Sequence, residues 1–177
     1  MSPQTDDQIP SKRIDPPVVA DEKTTLVAFV DYHRQTLLLK CAELTPQQLV
    51  SRPSPPSSLC LLGLIRHLTE VEFGWLHARF AGEPDREIYG PGDADLDVTE
   101  ADEQSVVAAF ALYTEYVAKS QQIVAEHDLD ELTRDAHPRT GQHFSLRWVL
   151  QHLLEEYARH NGHADLLREA LDGAVGE

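Results

Sequence analysis

Apolar residues recur at helical spacing in four long stretches, separated by segments rich in proline, glycine and charge. Leu26, Val30, His33, Leu37 and Leu44 share one face and predict a first helix from Asp21 to about Leu44, after which Thr45-Pro46 opens a short separate turn. The segment SRPSPPSS breaks the pattern. It returns from Ser58 to Phe80 on Leu61, Leu64, Leu68, Val71 and Trp75, with His67 and Gly74 beside them. A third helix is predicted from Thr99 as N-cap, with Glu100, Asp102 and Glu103 in a first turn where carboxylates suit the helix dipole. Val106, Phe110, Tyr113, Val117 and Val124 carry it to about Glu126. Ser145 is the expected cap of a fourth helix ending near Asp172, before Gly173.

Four helices of about twenty residues are rods of ~30 Å that each bury one face, which predicts an all-α four-helix bundle. The eighteen-residue connection AGEPDREIYGPGDADLDV has no period, so it is expected to be a crossover that covers one end of the bundle. Residues 1–20 carry four prolines and little periodic apolar character, and are expected to form a flexible tail or a strap over the surface. The expected organisation is that tail plus one bundle domain over residues 21–175.

Charge narrows the classes. Fifteen Lys and Arg against thirty Asp and Glu give a net charge of −15, which repels a phosphate backbone, so neither nucleic acid nor an anionic membrane is an expected partner. The N-terminus has no basic-then-apolar leader pattern, and no apolar run approaches bilayer length, so the expected location is the cytoplasm. Cys41 and Cys60 fall in predicted helices without a C-x-x-C pair, and are expected to be small buried apolar residues.

The candidate chemistry lies where the last stripe is interrupted. It reads Leu146, Val149, Leu153, then Glu156, His160 and His163, then Leu167. Glu156 and His160 are four apart and stack on one helix face, so they can chelate one metal ion if a neighbouring helix gives a third ligand, for which His67 is the candidate. Burying Glu156 alone costs several kcal/mol, whereas a divalent cation supplies the missing charge. A rival is an ordinary ion pair of Glu156 with Arg159 or Arg66. Nitrogen and carboxylate ligands without thiolate suit Zn²⁺, and also Ni²⁺, Co²⁺, Mn²⁺ or Fe²⁺. Three ligands leave a tetrahedral ion one position open, as in catalytic sites, where bound water or thiol loses a proton near neutral pH. His163 and Glu70, each one turn from a candidate ligand, are placed for orientation or proton transfer, or are solvated rim residues. His33 reads as structural. His77, His127, His137 and His143 read as solvated imidazoles near helix ends or in loops, and His152 lies beside the stripe.

Two segments, SLCLLGLIRHLTEVEFGWLHARFAGE and SLRWVLQHLLEEYARHNGHADLLREALDG, resemble the DinB/YfiT-like superfamily of metal-dependent enzymes, in particular an actinobacterial branch. The resemblance spans about residues 20 to 175. It implies up-down-down-up topology, frequent homodimers, and one divalent ion held by a helix-two His and a helix-four pair, which land on His67, Glu156 and His160. Many members carry His at the first of that pair; Glu156 matches instead the mycothiol-dependent maleylpyruvate isomerase branch and makes the site more anionic. Several relatives are transferases or isomerases using a low-molecular-weight thiol, mycothiol or bacillithiol, although no separate thiol-cofactor motif stands out here.

The leading expectation is therefore a metal-dependent enzyme acting on a small electrophilic molecule, a thiol-dependent S-transferase or isomerase or, with water as the nucleophile, a hydrolase-like enzyme. Behind it stands a non-catalytic metal or small-molecule binding protein for stress or detoxification. Third is an inert bundle in which His67, Glu156 and His160 form a polar network.

Overall fold

The structure is a computed structural model that describes residues 13–92, 96–137 and 139–175. Helix α1 spans Glu22–Cys41 and starts where the Asp21 side chain accepts from the Thr24 N–H. The short α2, Pro46–Leu49, is the expected separate turn, closed by a reciprocal capping box between Thr45 and Gln48. Helix α3 covers Leu61–Glu72 and continues without a break as a π-helical stretch, Phe73–Phe80. Helices α4 and α5 span Glu103–Glu126 and Leu146–Asp172. As expected, Ser145 caps α5 by accepting from the Trp148 N–H, and Gly173 ends it at φ 79°, a left-handed conformation that costs glycine little.

The N-cap of α4 is Asp102, three residues later than the sequence predicts. Its carboxylate accepts from the Ser105 N–H while the Ser105 hydroxyl accepts from the Asp102 N–H. That reciprocal box pairs two backbone donors of the first turn at Asp102 itself, and Val98 ahead of it is buried.

Contacts along each helix fix the topology. Glu22 meets Arg147, His33 meets Asn161 and Lys40 meets Asp165, so α1 and α5 run parallel. His160 faces His67 and His152 faces Trp75, so α5 runs antiparallel to α3. Tyr116 meets Phe73 and Ser120 meets His77, so α4 runs parallel to α3. The order is up-down-down-up. The crossover that this requires is the 81–98 connection, which runs back along α3: Ile88 and Tyr89 reach Glu70, and the Val98 carbonyl reaches Cys60. It lines the side of the bundle rather than covering an end.

Three apolar clusters fill the bundle, one around Leu37, Leu64, Phe110 and Leu167, another around Val30, Leu76, Val149 and Leu153, and a small third of Phe73, Ala78 and Tyr116. Where the tail is described it straps α1: the Ile14 N–H donates to Gln35 Oε1 at 2.8 Å, and the Arg13 guanidinium lies 4.7 Å from the Tyr32 ring centroid. Residues 1–12 lie outside the described residues, and with them that part of the expected tail. Among the described residues no helix is long and apolar enough to cross a membrane.

Candidate metal centre

The buried stripe of α5 is Leu146, Val149, Leu150, Leu153, Tyr157, His160, Asn161, Ala164 and Leu167. Tyr157 and Asn161 thus take the central core positions, while Glu156 and His163 sit half-buried at its margin, beside rather than in the row of aliphatic side chains. The sequence pattern misplaces them by one residue. At 100° per residue the buried positions centre near Leu146, Tyr157 and Ala164, and Glu156 and His163 fall roughly 80–100° to one side of that centre.

That margin faces α3. One ligand atom each from His67, Glu156 and His160 lies within 4.8 Å of the others. The two imidazole rings are 4.7 Å apart at their centroids, and Glu156 Oε2 is 3.5 Å from His160 Nε2. His160 is 8 % exposed, so it gains little from water and needs a polar partner. Two neutral-nitrogen donors and one carboxylate, converging from two helices with partial burial, fit a borderline divalent cation. The proposed ion pair with Arg159 does not form: Arg159 donates to Glu155 at 2.9 Å, and the Arg66 guanidinium stacks on Tyr89 at 4.3 Å.

Two further histidines flank the cluster. His163 Nδ1 is 3.4 Å from His160 Nδ1. On the other side, His152 Nε2 lies 3.6 Å from Glu156 Oε1, and its ring stacks on Trp148 at 5.1 Å and meets Trp75 edge-on at 4.7 Å. Glu70 does not face the cluster alone as a free base: its Oε1 accepts from the Ile88 and Tyr89 N–H groups at 2.7 and 2.8 Å, fixing the crossover against α3. A cavity of ≈ 330 Å³ opens there, lined by His67, Glu70, Gly74, Trp75, Arg79 and the crossover glycines Gly90 and Gly92.

Behind the cluster lies a group of polar residues that periodicity alone passes over. Glu72 is fully buried and accepts two hydrogen bonds of 2.8 Å from Arg34 and a third, also 2.8 Å, from the Tyr157 hydroxyl; Tyr113 lies 3.0 Å from Tyr157. Desolvation works against charge on Arg34, yet Glu72 and Tyr157 beside it hold its basicity well above the usual arginine range. The signal was present in spacing: Arg34 follows Val30, and Glu72 follows Leu68, by four residues on core faces. His77 also departs from expectation. It is fully buried, with Nε2 lying 3.2 Å from the Tyr116 carbonyl and 3.1 Å from Ser120 Oγ, because the π-helical stretch turns it toward α4. His33 is structural as expected, facing the Asn161 amide at 3.1 Å, and burial lowers its basicity.

The fold and the cluster together define a helical-bundle protein with a candidate His/Glu metal site between its second and fourth long helices. Compared with known families, the chain matches the mycothiol-S-transferase family over residues 25–173, and it belongs to that family, within the DinB-like superfamily. Among solved structures it is similar to a conserved protein from Enterococcus faecalis, with a TM-score of 0.64 at 14 % identity over 88 % of this chain and 100 % of that one; this likeness shows the fold. No curated protein matches.

Proposed function

We propose that the chain is a divalent-metal-dependent thiol S-transferase in which His67, Glu156 and His160 hold the ion. The observation that carries the reading is the convergence of those three groups within 4.8 Å from two separate helices, in a chain of this family. When bound, such an ion supplies the positive charge that keeps a coordinated thiol ionised near neutral pH, with Zn²⁺ the first expectation among Zn²⁺, Ni²⁺, Co²⁺, Mn²⁺ and Fe²⁺.

The chain's own groups account for the rest. His163, beside His160 Nδ1 and half-buried at the margin, is placed to orient that ring and to pass a proton to solvent. His152, packed against Trp75 and Trp148, lies beside Glu156 with Nε2 3.6 Å from Oε1. Glu70 shapes the cavity by holding the crossover backbone, so proton transfer is assigned to His163. The substrate pair is a low-molecular-weight thiol of the mycothiol type and a small electrophile. Free Cys41 and Cys60 suit the reducing cytoplasm in which such thiols act. The resemblance further supports a homodimer, which sedimentation velocity tests against a 19.8 kDa monomer.

The test is elemental analysis of protein purified without added metal or chelator, beside His67→Ala, Glu156→Ala and His160→Ala. About one ion per chain, lost in all three variants at unchanged helical circular dichroism, is the expected result. Loss of titratable mycothiol thiol in the presence of an electrophile then completes it. Metal bound without any thiol consumption assigns the chain to ligand sequestration instead. No metal after reconstitution overturns the reading.

A further inference from the structure

The cavity beside His67 carries a feature that metal binding leaves unexplained. Arg79 lies on the π-helical stretch, and its guanidinium sits 4.6 Å from the Trp75 ring centroid at the cavity wall. Among the described residues, Arg34 pairs with Glu72, Arg52 with Asp97, Arg147 with Glu22, Arg159 with Glu155 and Arg168 with Asp172, whereas Arg86, Arg134 and Arg139 hold no carboxylate; of these exceptions and Arg79, only Arg79 lines the cavity beside His67. Arg79 forms no ion pair among the described residues, although Asp85 and Glu87 line the same cavity. Stacking on Trp75 uses a face of the guanidinium, and among the described residues its in-plane N–H donors, the edge that recognises carboxylates bidentately, have no partner.

The wall between His67 and Arg79 is also kept clear. Gly74 stands on it, and a Cβ added there would meet nothing within 4 Å, so neither packing nor backbone strain calls for glycine at a helical position where it is unfavourable. The i→i+5 turn in this segment is of the kind that recurs at functional sites. Arg79 follows His67 by twelve residues, and its guanidinium folds back over Trp75, which leaves about 12 Å along the helix between the two.

We propose that Arg79 is the anion-recognising residue of this site, taking a carboxylate on a ligand whose reacting end lies beside His67, Glu156 and His160. This rests on the thiol-transferase reading above. The carboxylate belongs to the electrophile, because the cysteinyl carboxyl of mycothiol is tied up in an amide, and its distance from the reacting atom is of the order of 10 Å. The net charge of −15 adds discrimination: most of the surface repels anions, so one unpaired, stacked arginine in the cavity selects where an anionic ligand settles.

The experiment uses cobalt-loaded protein and follows its visible absorption while 6-mercaptohexanoate or 6-mercaptohexanol is added. The two probes share the thiol and chain length and differ in the carboxylate. The parent should bind the carboxylate probe about tenfold more tightly, Arg79→Gln should bind both alike, and Arg79→Lys should keep part of the preference. Turnover of mycothiol with 4-(bromomethyl)benzoate and with its methyl ester forms the second arm. A preference in kcat/KM for the acid of the electrophile pair, lost in Arg79→Gln, supports the assignment, whereas a preference confined to the thiol probes shows an anion site that the electrophile does not use and overturns it. Equal treatment of both pairs by the parent, with the cobalt spectrum responding to thiol, overturns the assignment of Arg79 while the parent reading stands. A cobalt spectrum that responds to no thiol overturns both.

Discussion

The Tyr157 hydroxyl donates to Glu72 Oε1 at 2.8 Å, so the neighbour of one candidate ligand on α5 is fastened to a carboxylate on α3, five residues beyond another. Arg34 of α1 holds the same carboxylate, so three helices meet at one buried charge. Removing one member of such a group is far worse than removing the pair, because the survivor stays buried without its counter-charge. Glu72→Ala should cost roughly 3–5 kcal/mol in urea unfolding. Tyr157→Phe should cost about 1.5–3 kcal/mol, the range for a hydrogen bond to a charged group. The Arg34→Met, Glu72→Met double variant should lose less than Glu72→Ala does. A double variant worse than either single change would refute the counter-charge explanation.

Two glycines on the same helical rod should respond to alanine with opposite signs. At Gly63 a Cβ would lie 2.9 Å from the Leu96 carbonyl oxygen, a backbone atom of the crossover, so Gly63→Ala should destabilise by about 1–3 kcal/mol. Gly74 has open space, and Gly74→Ala should gain about 0.5–1 kcal/mol from helix propensity while narrowing the cavity. Thermal melts of the two variants check the signs.

Cys41 is fully buried, and burial pushes its thiol up to about 12, overriding the nearby Arg168. Burial raises Cys60 too. Neither should react with iodoacetamide at pH 8 in the native protein, and both should label promptly in denaturant. Native labelling at a rate near that of a free thiol would show that the core around them opens.

Helix α1 should be acid-sensitive through its cap. The Thr24 N–H and hydroxyl hold Asp21 below its ordinary carboxylate range. A carboxylate that ionises more readily folded than unfolded stabilises above its unfolded pKa, and that contribution is lost as pH falls through the lower, folded one. Asp21→Ala should therefore lower the Tm at pH 7, and the gap to the parent should close below about pH 4. A gap that stays constant to pH 2 would mean the charged cap contributes nothing.

Helix number, order and most ends were legible because period and caps agree there: Asp21, Thr45 and Ser145 all cap where the pattern starts. Thr99 competed with Asp102, and only the Ser105 side chain decides between them. The ligand candidates were legible from an i,i+4 pair plus one histidine, but their seat at the margin of the stripe was not, since one residue of helical phase separates Glu156 from Tyr157. Glu72 and Arg34 escaped notice because each looks like an ordinary helix charge until the partner, thirty-eight residues away, is placed beside it. His77 escaped because a widened turn, invisible to a 3.6-residue period, carries it inward.

The crossover makes α3 and α5 neighbours in space while all of α4 lies between them in the chain. An ion shared by His67, Glu156 and His160 would therefore act as a clasp across a long stretch of polypeptide, restricting the unfolded chain as a cross-link does. Because only the folded protein presents that clasp, metal supply would set lifetime as well as chemistry: apoprotein should melt earlier, be cut sooner by protease and recover when the ion returns.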